Sequence, residues 1–322
     1  MPSLLDMPDV AMNLILQKLD FQSMSVHLCL ILFTGSICQC LRKSCRDLRN
    51  YIDDVKPELK LDALEIQLYE DHIRLDLSDL DLMCYRHILY QDARDYVDVA
   101  CKNVQSLLDL QTSGVLKTLR IEVFRAYQDA RQFLDKFQKY LQSRSHSLNV
   151  SNVKSCIFNL ESTVHFLPFV TPSKLKSIEI RGQSPNSNQG FRFPELFQLE
   201  QWKCSKEVIF HPFEVDNYLE NFLHFESATI KFNVLSMEVV LNLKETILRS
   251  SHMNYFEIYY NRFHDRLSEM FGEPRYETDE LHWFFKILND ADNVVTIILK
   301  EIKSIIIRRI NREYVPEGVV FH

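Results

Sequence analysis

Glycine is scarce, with six in 322 residues. That shortage disfavours folds built on phosphate-cradling loops, and neither GxGxxG nor GxxxxGK followed by Ser or Thr occurs. Paired cysteines are missing too. The eight cysteines, Cys29, Cys38, Cys40, Cys45, Cys84, Cys101, Cys156 and Cys204, contain no CxxC, so they read as reduced small hydrophobes in a cytoplasmic and/or nuclear protein. The cluster from Cys29 to Cys45 lacks the two-residue knuckle of a zinc site, and no metal or cofactor is expected. The apolar run Val26 to Phe33 is too short for a bilayer, which needs about 20 residues, and no basic region marks a secretory leader. No membrane partner is expected. A surplus of cations is absent as well: the net charge of −7 weighs against nucleic acid as a partner.

Catalytic signatures are equally lacking. No GxSxG or HExxH occurs, and His211, His224, His252, His264 and His282 read as separate surface or capped core histidines. The chain is therefore expected not to be an enzyme.

What is present begins with an apolar stripe. Met12, Ile15, Leu16 and Leu19 follow helical spacing, widened by Val10 and Leu14, with Pro8 suited to the first turn and Asp9 to the helix dipole. Leu41, Cys45, Leu48 and Ile52 make a second stripe, with Arg42, Arg46 and Arg49 on another, solvated face. Such short helices bury too little area to stand alone. They want a partner.

Farther on, ALEIQLY (63–69) and HIRLDLS (72–78) alternate as a hairpin, CYRHILY (84–90) reads as a third strand, and Ala93 to Leu110 keeps helical spacing. A weak pattern, apolar-x-x-apolar-x-apolar, then recurs as LKTLRI (116–121), VKSCIF (153–158), LKSIEI (175–180), FESATI (225–230) and MNYFEI (253–258), with a poorer copy at KEVIF (206–210). Helical segments such as SMEVVLNLKETILRSS (236–251) lie between copies. Strand beside strand, backed by helices, makes a ladder; an ordinary α/β sandwich with similar strands is the alternative. LHWFFKI (281–287), NVVTIIL (293–299) and KSIIIRRI (303–310) read as three further strands that finish the sheet. Every second residue of such strands points to the exposed face. Tyr255, Glu257 and Tyr259 alternate along one strand while Lys231 and Arg181 end others, which makes that face the expected target-binding surface.

LLDMPDVAMNLILQKLDF (4–21) followed by LRKSCRDLRNYIDD (41–54) resembles an F-box. IFNLESTVHFLPFVTPSKLKSIEIRG, FQLEQWKCSKEVIF, FLHFESATIKF and SMEVVLNLKETILRSS, in that order, resemble the FTH domain of the nematode-expanded F-box A family. The resemblance implies an F-box at 1–56, a connecting β-hairpin and helix at 60–120, an FTH repeat-like α/β domain at 121–310 and a tail at 311–322. The expected fold class is thus α/β: a small N-terminal helical F-box followed by an irregular leucine-rich-repeat-like α/β ladder.

It further implies a substrate-recognition subunit of a cullin-type (SCF) ubiquitin ligase, in which Leu5, Pro8, Val10, Ile15, Leu16, Leu19, Leu41 and Leu48 serve the Skp-type adaptor and the second module recruits an unknown target protein. One departure stands out: an apolar insertion at about 22–40, longer than connections in compact domains usually are, separates the halves of the F-box. It is either a splicing or gene-assembly product or a real helix, and if translated it leaves a second reading, a non-catalytic interaction protein with a defective F-box. A third, RNA binding through Arg42, Lys43, Arg46, Arg49, Arg308 and Arg309, runs against the acidic total and the scatter of those cations.

Overall fold

The computed structural model describes residues 61–79, 84–91, 95–110, 114–124, 128–157, 166–182, 193–264, 266–288 and 290–321. The expected F-box at 1–56, its insertion at about 22–40 and all eight adaptor residues, Leu5, Pro8, Val10, Ile15, Leu16, Leu19, Leu41 and Leu48, lie outside the described residues. Thirteen strands and six α-helices make the described part a mixed α/β protein. Its chain divides into two compact units, Met1–Ser151 and Asn152–His322.

In the first unit, β1 (Ala63–Leu68) and β2 (Ile73–Asp79) form the expected hairpin, and β3 (Cys84–Tyr90) adds on antiparallel. Helix α1 (Tyr96–Leu110) leads to β4 (Leu116–Val123), which pairs parallel with β1, and α2 (Gln128–Ser143) follows. Alternation decides the faces: Leu64, Ile66, Leu68, Ile73, Leu75, Leu77, Leu119 and Ile121 are all buried. α1 buries Val97, Ala100, Val104 and Leu107, and α2 buries Ala130, Phe133, Phe137 and Leu141, each at helical spacing. Cys101 completes that stripe, and burial pushes its thiol up to about 12, which leaves it inert as a nucleophile. The opposite face of the strands is a polar ladder: Arg74 pairs with Asp76 at 2.8 Å, and Glu122 receives both Arg120 and the Gln67 amide.

The second unit opens on β5 (Val150–Ile157), which begins just before the break, followed by β6 (Ser177–Gly182), β7 (Glu207–Glu214), β8 (Ser227–Leu235) and β9 (Tyr255–Phe263). These five run parallel, in chain order across the sheet. Parallel neighbours need crossovers. Short helices α3 (Phe193–Gln198) and α4 (Glu200–Cys204) precede β7, and α5 (Met237–Arg249) precedes β9, its N-terminus capped by the Ser236 hydroxyl accepting from Val239 N–H.

After α6 (Leu267–Phe271) the chain makes β10 (Arg275–Glu277), β11 (Glu280–Ile287), β12 (Asp290–Lys300) and β13 (Ser304–Asn311). The last three are the strands expected from sequence, but they enter in reverse: β13 pairs antiparallel with β9, and β10 lies at the edge. A residue of the tail returns, Phe321 bridging to Phe284.

Between β6 and β8 the core is aromatic. Trp202 is 1% exposed and meets Phe210, Phe222 and Phe225 edge-on at 5.2 to 5.9 Å, while its indole N–H donates to the Asn221 carbonyl at 3.0 Å. Gln201, also buried, donates to the carbonyls of Pro168 and Val170, so the turn before β6 is tied to α4.

Candidate functional site

Each parallel strand of the second unit divides its residues by period two. Ile178 and Ile180 in β6, Val208 and Phe210 in β7, Ala228 and Ile230 in β8, and Phe256 and Ile258 in β9 are buried on one face. Their alternates form the other, open face: Glu179 and Arg181, Ile209 and His211, Thr229 and Lys231, Glu257 and Tyr259. The registers set these side chains in rows. Cys156, Arg181 and His211 are neighbours across β5, β6 and β7, and Lys231 lies beside Tyr259 across β8 and β9. Between β7 and β8 the register shifts after Ile209, so that Lys231 stands opposite Glu214 instead of His211.

Charges in this face are partly matched. Lys154 Nζ lies 3.3 Å from Glu179, and Arg181 Nε also donates to that carboxylate. Burial alone would raise the Glu179 pKa; the hydrogen bond from Arg181 and the charges of Lys154 and Arg181 outweigh it and hold the carboxyl below its usual range. Tyr255 donates its hydroxyl to Glu257 at 3.2 Å. Burial and then the Glu257 charge push the Tyr255 phenol up to about 12, so it stays a donor at any physiological pH.

His211 occupies the middle. Its ring packs on that of Tyr259 with centroids 4.7 Å apart. Burial, then the positive charges of Lys231 and Arg181, lower its pKa, against the opposing pull of Glu257. The imidazole is therefore neutral at pH ~7, offering one N–H and one lone pair. On β13, Arg308 stands opposite Tyr255, and its Nε is buried without a hydrogen-bond partner.

All five residues expected at a target-binding surface, Tyr255, Glu257, Tyr259, Lys231 and Arg181, thus lie on one face of one unit. Arg181, Lys231 and Tyr259 gather around His211, and Tyr255 is joined to Glu257. Sequence reasoning missed His211, Glu179 and Lys154. A signal for His211 existed: it ends the copy SKEVIFH as Arg181 ends LKSIEIR, Lys231 ends FESATIK and Tyr259 ends MNYFEIY. The copy at VKSCIF misled, because Val153 pairs with Ile178; the true copy starts three residues earlier, at Val150.

This is a surface of cations, carboxylates, hydrogen-bond donors and aromatic rings, suited to gripping a polar partner. Among the described residues no group of three His, Cys, Asp or Glu is placed to hold a metal ion, and no helix is long and apolar enough to cross a membrane.

Residues 131–275 match the FTH domain, a family associated with F-box proteins. No curated protein and no solved structure matches the chain.

Proposed function

We propose that the chain is a substrate-recognition subunit of a cullin-type (SCF) ubiquitin ligase, which holds the Skp-type adaptor through its N-terminal F-box-like sequence and a target protein through the open face of the parallel strands. The observation that carries this reading is the FTH match at 131–275 downstream of an F-box-like sequence at 4–54. The gathering of Arg181, His211, Lys231, Tyr255, Glu257 and Tyr259 on one face supports the second half of it.

In this role the chain catalyses nothing and needs no cofactor. It raises the effective concentration of target at the transfer machinery, and tethering at millimolar effective concentration is enough to convert a weak encounter into transfer. Nucleic acid and membrane have no part in it, and the compartment is cytoplasm, nucleus or both.

Co-purification with the Skp-type adaptor tests the proposal. Leu5→Asp, Pro8→Asp and Leu16→Asp each abolish adaptor retention while the folded FTH part is kept, as judged by circular dichroism. Retention of adaptor by all three variants, or no retention by the wild-type chain, overturns it.

A further inference from the structure

Among the described residues of the open face every carboxylate has a partner, whereas Lys231 has none of opposite charge and Arg181 is only partly engaged. Glu179 holds Lys154 and Arg181, Glu257 accepts the Tyr255 hydroxyl, and Glu214 accepts the Asn261 amide at 2.8 Å. Lys231 has no carboxylate within ion-pair distance among the described residues, although Glu214 is its neighbour in register. Arg181 gives only its Nε to Glu179, and its side chain remains 51% exposed, so the two terminal amino groups of the guanidinium are left to bond elsewhere. Arg181 is the neighbour of His211 in register, and Lys231 is the neighbour of Tyr259, whose ring packs on His211, so the two cations flank one spot.

We infer that Arg181, His211, Lys231 and Tyr259 seat the side-chain carboxylates of an acidic segment, rich in Asp or Glu, of the partner protein. This rests on the proposed recruiting role and names the chemistry of what is recruited. A planar guanidinium takes a carboxylate through two parallel N–H bonds, while an ammonium acts as a point charge that tolerates several angles. Arg181 and Lys231 stand on strands separated by β7, about 10 Å apart at ~4.8 Å per strand. A segment in polyproline II conformation repeats its face every three residues at about 3.1 Å each, so acids three apart in a segment crossing the strands point the same way about 9 Å apart and reach both.

His211 lies between them and donates a ring N–H without demanding a counter-charge at neutral pH, and Tyr259 walls one side. Glu257 and Glu214 border the patch and repel an acid placed out of register, which sets where the segment sits.

Binding of a fluorescein-labelled deca-glutamate peptide to the full-length chain, read by anisotropy, tests this, with deca-lysine and a phosphoserine-containing neutral peptide as the other arms. Deca-glutamate binds, and its affinity falls as salt rises. Arg181→Ala and Lys231→Ala each weaken it about tenfold, whereas Lys231→Arg keeps it within about twofold. Equal binding of deca-lysine, undiminished binding to the Arg181→Ala/Lys231→Ala double variant, or a preference for the phosphoserine peptide over deca-glutamate overturns the inference. Thermal melts of the variants guard against misfolding, and Lys231→Arg separates charge from packing. Adaptor retention is scored on the same preparations. A chain that retains adaptor yet ignores deca-glutamate sinks the acidic segment alone, while one that binds deca-glutamate without adaptor sinks the ligase role.

Discussion

The imidazole of His211 lies against the phenol ring of Tyr259, centroids 4.7 Å apart and planes inclined at 59°. The two come from strands separated by β8. Side chains on strands about 10 Å apart meet by leaning over the strand between them, and the register shift between β7 and β8 after Ile209 lies beside this pair.

That burial has a pH signature. The pKa values of His211 and His224 both lie below the ordinary 6.5, chiefly through burial, with Lys231 and Arg181 adding to it at His211. In the unfolded chain each imidazole takes up its proton near 6.5, and in the folded protein only at lower pH. The unfolded state therefore binds more protons in between, and stability falls as pH drops below about 6.5, levelling once the folded-state values are passed. Melting temperature measured from pH ~7 downward declines, and His211→Gln with His224→Gln flattens the decline. An unchanged slope in the double variant refutes the assignment.

Glu179 competes with any acidic ligand for Arg181 and Lys154. Glu179→Gln frees both cations, and deca-glutamate affinity rises about threefold to tenfold by titration. The cost in stability is small, about 0 to 1 kcal/mol, because Lys154 and Arg181 are 40% and 51% exposed and their pairs are screened. Weaker binding by this variant contradicts the proposed ligand chemistry.

Trp202 holds the aromatic core behind β7. Trp202→Ala removes its edge contacts with Phe210, Phe222 and Phe225 and leaves the Asn221 carbonyl without its donor. A loss of about 3 to 5 kcal/mol is expected in urea denaturation, and Trp202→Phe loses less. A change below about 1 kcal/mol in Trp202→Ala shows that this core is not packed as described.

Gly182 ends β6 where Phe213 approaches: a Cβ there meets Phe213 Cζ at 2.9 Å and Pro212 Cδ at 3.1 Å. Gly182→Ala costs about 1 to 3 kcal/mol through this overpacking, and Phe213→Leu in the same chain recovers part of it. Strictly additive effects in the double variant argue against the contact.

Much of the second unit is legible in its pattern. The copies LKSIEI, FESATI and MNYFEI became β6, β8 and β9 because period-two alternation gives each strand one apolar face to bury. The strands 281–287, 293–299 and 303–310 were equally plain, each a run of β-branched and aromatic residues. Short β10, Arg275–Glu277, carried no such run and escaped notice. Residues Tyr255, Glu257 and Tyr259 follow from alternation within one strand, whereas His211 needed the alignment of one strand against the next.

Composition and local period, then, determined which segments are strands or helices and which side of each is apolar, since those follow from nearest-neighbour geometry along the chain. Only the tertiary structure decided that β13 rather than β10 lies against β9, and that Arg181, Lys231 and Tyr259 surround one histidine. Strand order and lateral register depend on pairing between residues tens of positions apart, and a pattern of period two is unchanged by any permutation of the strands or any slip of two residues.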